Sequence, residues 1–150
     1  MAKFELELPL EVMKDLEKIN GNTEKIFGEM TRAGAEVLRS NVLGKMPSGL
    51  KKLGLQNYIR ISKVYKTPSD DGINTKVMFV GYVNGDPKKP APLIANAFEY
   101  GTSARYTLNG QYRGSIKKTG FFRRSFNKGQ IEQAMINKQK EITGGLLTNE

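Results

Sequence analysis

The chain has 150 residues, enough for one domain with a single hydrophobic core, and residues 1–150 read as one such unit without a linker or internal repeat. It contains neither cysteine nor histidine, which excludes disulfides, thiol and serine–histidine nucleophiles, and the usual zinc ligand sets. Its net charge of +9 is uneven: residues 100–131 hold seven basic side chains and no acid, whereas residues 1–50 hold seven basic and eight acidic ones.

Phe4, Leu6 and Leu8 alternate with Glu5 and Glu7 as a short strand-like lead-in. Leu10, Met13, Leu16 and Ile19 then recur every third residue, so a first amphipathic helix is predicted up to Asn20-Gly21. Asn22 or Thr23 is expected to cap a second helix. Ile26, Met30, Ala33, Val37 and Leu38 lie along one face of it, and it ends near 41–44. Ala33, Gly34 and Ala35 are small, which lets another element approach closely. Pro47-Ser48-Gly49 is expected as a turn.

Residues 57–65 and 75–83 are β-rich and alternate, with Ile59, Ile61 and Tyr65 on one face of the first and Val77, Phe79 and Val83 on one face of the second. The turn Pro68–Gly72 between them predicts an antiparallel hairpin with a long loop, one face lying on the second helix. After a proline-rich loop, Leu93, Ala97 and Tyr100 on one side suggest a short helix or extended segment that Gly101 ends. Residues 102–120 are rich in Gly, Thr, Ser and basic side chains and are expected to form a long mobile basic loop. Phe121, Phe122 and Phe126 mark the return to the core. A last helix is predicted over 130–142, with Ile131, Met135 and Ile142 inward and Gly144-Gly145 as its stop.

The expected fold class is therefore α+β: two N-terminal helices packed on a small antiparallel sheet, a C-terminal helix and the basic loop. No stretch reaches the roughly 18–20 apolar residues of a membrane span, and the N-terminus lacks the layout of a signal peptide, so a soluble cytoplasmic protein without membrane contact is expected. No cofactor is expected, because Gly110 to Gly114 lacks the Gly-Lys-Thr and the adjoining apolar strand of a phosphate loop.

Ala97-Phe98-Glu99-Tyr100-Gly101-Thr102-Ser103, read with Val80-Gly81-Tyr82 before it and Phe121-Phe122-Arg123-Arg124-Ser125-Phe126 after it, resembles the minor tail component and tail-completion family of tailed bacteriophages. That family shows a strand ending in Gly-Tyr or Gly-Phe, a glutamate–aromatic–Gly-Thr motif, a basic loop, and an aromatic–Arg segment opening a C-terminal helix. Pro47-Ser48-Gly49-Leu50 here departs mildly from the Pro–x–Thr–Gly–x–Leu of many members. The resemblance implies a non-catalytic virion assembly subunit at the head–tail joint. Such a subunit would self-associate as a ring, commonly six-fold, and contact head connector and tail-tube proteins while DNA passes through the lumen.

The candidate interface residues are Glu99, Tyr100, Gly101, Thr102, Arg105, Arg113, Lys117, Lys118, Arg123 and Arg124. Glu99 is expected to accept hydrogen bonds from the Gly101-Thr102 turn or to pair with Arg123 or Arg124, in preference to acting as an acid or base. Arg123 and Arg124, beside aromatic residues, are read as subunit-interface contacts ahead of phosphate ligands. Segment 105–128, with Tyr106 and Tyr112 interleaved, has three readings: a solvated loop, a contact for an acidic protein surface, or a less favoured direct DNA contact. The rival function is a small sequence-independent nucleic-acid-binding protein that uses this segment.

Overall fold

A computed structural model describes residues 10–69 and 72–148. The lead-in over residues 4–8 and the Asp70-Asp71 pair of the expected turn lie outside the described residues. Helices α1 (Leu10–Gly21) and α2 (Thr23–Lys45) open the described chain. Asn22 and Thr23 were candidate caps for α2, but their side chains turn back instead. The Asn22 amide donates to the Lys18 carbonyl at 2.7 Å and the Thr23 hydroxyl to the Asn20 carbonyl at 2.8 Å, so they satisfy the last carbonyls of α1.

After α2 comes a short helix, α3 (Ser48–Lys52), where a simple turn was expected. Pro47, extended at φ −58° and ψ 147°, stands just before it and its carbonyl accepts from the Leu50 and Lys51 amides, which starts the helical turn. Strands β1 (Ile59–Ile61), β2 (Tyr65–Lys66), β3 (Ile73–Asn74) and β4 (Val77–Phe79) form one long antiparallel hairpin in two stretches. β1 pairs with β4 through Ile59 and Phe79, and β2 with β3 through Tyr65 and Asn74. Its face lies on α2, with β1, β3 and β4 all in contact with that helix. Buried Ile59 and Phe79 face inward there and exposed Arg60 outward, as period-two alternation requires.

Helix α4 (Ala91–Tyr100) follows, then the strands β5 (Arg105–Tyr106) and β6 (Tyr112–Gly114), the single-turn α5 (Phe121–Arg124) and the long α6 (Lys128–Thr148). The fold is α+β. α6 runs antiparallel along α2, and Gly34 makes the close approach feasible: a Cβ there would lie 3.0 Å from Ile131 and 3.1 Å from Met135. The core runs through Val42, Met46, Leu50, Leu55, Ile59, Phe79, Val83, Ala91, Ala95 and Phe121 and so ties α2, α3, the hairpin, α4 and α5 together.

Two expectations are corrected. α6 continues through Gly144-Gly145, although glycine inside a helix costs about 1 kcal/mol per residue relative to alanine, and the helix as a whole packs on α2 and α1. Phe126 does not re-enter the core and is 60% exposed, while Phe121 is fully buried. Within residues 102–120, expected as a long mobile basic loop, β5 and β6 pair as a short antiparallel hairpin.

Candidate interaction site: a clasp and its basic hairpin

α4 carries no charged residue except Glu99, and it packs inward through Ala91, Ala95 and Glu99. Leu93 and Tyr100, read from the sequence as lying on one side, are 65% and 60% exposed. The small alanines let α4 sit close on the sheet. Glu99 is 8% exposed at the last turn, where its carboxylate accepts the Phe122 amide at 2.8 Å and the Arg123 amide at 3.2 Å. A buried carboxylate is costly unless such donors meet it, and the first amides of α5 have no other intrahelical partner. Neither of the partners expected for Glu99 is the one observed. The Thr102 amide goes to the Ile116 carbonyl, and Arg123 contributes its backbone rather than its guanidinium.

The same turn is held at further points. Thr119 donates its amide and hydroxyl to the Phe98 carbonyl at 3.0 and 2.7 Å, and the Gly120 amide reaches the Glu99 carbonyl at 3.1 Å. Thr102 closes the loop in both directions. Its amide donates to the Ile116 carbonyl at 2.8 Å, and its hydroxyl accepts the Ile116 amide at 2.9 Å. Between them Gly101, at φ +76°, passes so close that a Cβ would lie 2.8 Å from the Lys118 nitrogen and 2.9 Å from the Ile116 oxygen. The Glu-Tyr-Gly-Thr motif is thus a backbone clasp that fixes segment 116–123 against the end of α4.

From the far side, α2 secures the junction of α5 and α6. The Asn41 amide donates to the Ser125 carbonyl and to Gln130, and Lys45 donates to the Arg124 carbonyl at 2.6 Å. Fully buried Ser125 bonds back to the Phe121 carbonyl at 2.6 Å. Phe79, Phe121 and Phe122 meet edge-on or tilted with centroids 6.2 to 6.4 Å apart, and this cluster is the floor under the clasp. The contacts of Asn41, Lys45, Ser125 and Ile116 were not read from the sequence. Their roles rest on backbone carbonyls and amides far away in the chain, which no local pattern reveals.

What the clasp presents is the β5–β6 hairpin. Tyr106 pairs with Tyr112, their rings 5.6 Å apart, and a register shift leaves Arg113 as the extra residue opposite Arg105 and Tyr106. Thr107 anchors the turn by accepting the Gln111 amide on its hydroxyl at 3.0 Å, with Gly110 at φ +75°. Leu108 at the tip is completely exposed, and the two strands pack chiefly on each other. Arg105, Arg113, Lys117, Lys118, Arg123 and Arg124 are all exposed, and none makes an ion pair among the described residues. The clasp therefore gathers Glu99, Gly101 and Thr102 into one place with Lys118 and Arg123, while Arg105 and Arg113 stand out on the hairpin.

No protein-family model, curated protein or solved structure matches this chain. Among the described residues there is no group of carboxylates that could hold a metal ion, and no helix long and apolar enough to cross a membrane.

The clasp leads to a measurable expectation. Glu99→Ala removes two charge-assisted bonds and leaves two part-buried amides unmet, which should cost about 2–4 kcal/mol. Glu99→Gln keeps one acceptor oxygen but turns an NH2 group toward a donor, and should cost roughly half of that. Denaturant titration measures both. Two variants indistinguishable from the parent would show that the carboxylate does not hold the α5 turn.

Proposed function

We propose that this chain is a structural virion assembly subunit of a tailed phage, one that completes or joins the tail at the head–tail connector and self-associates as a ring. Its place would be the tail or neck of the virion, with direct DNA contact subordinate to protein contact and no catalytic role. The observation that carries this reading is the clasp. The residues by which the chain resembles the tail-completion family spend their polar groups on backbone, and what they hold out is a cation-rich hairpin with a bare Leu108 at its tip. An acid-free, apolar-tipped projection suits docking on an acidic protein surface, where cation pairing and burial of the leucine reinforce each other.

The deciding experiment is electron microscopy of particles produced without this protein. Filled heads and detached tails are the expected result, and normally joined particles would overturn the reading. Within that assay, the double variant Arg105→Glu/Arg113→Glu should melt like the parent, since exposed side chains contribute little to stability. It should still fail to join heads to tails. A variant that melts normally and yields full infectivity would remove the hairpin from the interface.

A second reading, sequence-independent nucleic-acid binding, is favoured by one feature: the exposed Tyr106 and Tyr112 rings sit between Arg105 and Arg113. Affinity for DNA that falls steeply from low to physiological salt would support it. Absent or weak binding at both salt concentrations would leave the assembly reading in place.

A further inference from the structure

Two recesses meet at the end of α4. A notch of 310 Å³ at the clasp is lined by Lys118, Arg123 and Arg124, with Tyr100 beside them. A groove of 390 Å³ along α4 has apolar walls that include Val77, Met78, Pro92 and Phe122, and Asn96 adds an amide to it. Glu99, Tyr100 and Arg123 line both recesses, so the two adjoin. Glu99 is turned away from the cations: it is buried, and its two oxygens are taken by the Phe122 and Arg123 amides. Even with its charge counted, the notch keeps an excess of two positive charges, and none of its three cations makes an ion pair among the described residues. The backbone that carries them is fixed, by Thr119 on the Phe98 carbonyl and by Lys45 on the Arg124 carbonyl.

We propose that the two recesses form one binding site for a phosphate monoester with a planar aromatic body, the chemistry of a nucleoside monophosphate. Charge and shape each select it. Above its second pKa of about 6 a phosphate monoester brings two negative charges, which meet the excess in the notch. Arg123 and Arg124 offer planar forks that bind phosphate oxygens in pairs, and Lys118 adds a point charge. Binding also relieves the repulsion among the three cations. A single carboxylate or phosphodiester brings one charge and leaves the other unmet. A free phosphate leaves the groove empty, although the groove has the size of a small-molecule site, roughly 300–1,000 Å³. The aromatic body lies in the groove against Phe122 and the exposed Tyr100 ring, where the Asn96 amide can donate and accept hydrogen bonds. Side-chain cations hold the phosphate here, so the site needs no Gly-rich loop. The inference is independent of the assembly reading, which rests on the hairpin.

Calorimetric titration of the purified full chain in phosphate-free buffer tests it, with AMP, inorganic phosphate and adenosine as probes. AMP binds saturably at a single site, about tenfold or more tighter than phosphate or adenosine, because it alone fills both recesses. Its affinity falls as pH is lowered through about 6, where protonation removes one of its negative charges. Lys118→Gln/Arg124→Gln lowers AMP affinity by about tenfold or more and melts like the parent, since both side chains are exposed. Arg105→Gln/Arg113→Gln removes the same charge from the hairpin and leaves the affinity unchanged. No saturable AMP binding, phosphate binding as tight as that of AMP, or equal losses in the two double variants overturns the inference. So does an oligonucleotide without a terminal phosphate that displaces AMP at equal affinity, which would make the ligand a nucleic-acid backbone.

Discussion

Gly101→Ala is expected to be among the most damaging single-methyl changes in this chain, lowering stability by about 3–5 kcal/mol. Two costs add. Gly101 has φ +76° and ψ 171°, a region open essentially to glycine alone, and a side chain there is strained by about 1–3 kcal/mol. A Cβ would also meet backbone, the Lys118 nitrogen at 2.8 Å and the Ile116 oxygen at 2.9 Å, which cannot swing aside as a flexible side-chain end can. Relief requires the end of α4 to part from segment 116–118, and that breaks the Thr102–Ile116 pair of bonds. For a chain of this size the loss corresponds to a melting temperature lower by roughly 10 °C. Gly110→Ala is the control: φ is +75° there, but nothing lies within 4 Å of the added Cβ, so only the backbone strain of about 1–2 kcal/mol remains. Equal losses at the two positions would refute the close approach at Gly101.

Phe121→Ala should cost a similar amount, about 3–5 kcal/mol, as is usual for deleting a fully buried phenylalanine. The ring fills the space under α4 and meets Phe79 at 6.2 Å and Phe122 at 6.4 Å, so its removal costs edge-to-face contacts as well as burial. It also undermines α5, whose first amides Glu99 binds. Phe126→Ala, five residues on, removes a ring that is 60% exposed and should change stability by less than about 1 kcal/mol. Denaturant titration of the two variants separates them. A Phe126→Ala loss as large as that of Phe121→Ala would mean that both rings enter the core.

These pairs of positions also mark how far local pattern reaches. Spacing of apolar residues every three or four positions predicts helices over 10–21 and 22–44, and α1 and α2 occupy Leu10–Gly21 and Thr23–Lys45. Alternation over 57–65 and 75–83 predicts an antiparallel pair, and Ile59 stands opposite Phe79. Both rest on period, which the backbone imposes residue by residue, so composition within a short window suffices. The small Ala33-Gly34-Ala35 step likewise marks a close approach without saying which element makes it. The structure supplies α6 as the answer, through Ile131 and Met135.

The sequence by itself thus determined the helical first third, the β-hairpin and the exclusion of histidine and thiol chemistry, because each depends only on residue type and near-neighbour spacing. Tertiary structure alone decided the rest. It turned the α4 face, leaving Leu93 and Tyr100 in solvent and Glu99 inside, because the stripes on a ten-residue helix are nearly balanced and packing chooses between them. Among three phenylalanines of equal hydropathy, it placed Phe121 in the core and Phe126 outside. It also gave Glu99 the backbone amides of residues 23 and 24 positions away, a partnership of main-chain groups that every residue type shares and that no side-chain pattern can encode.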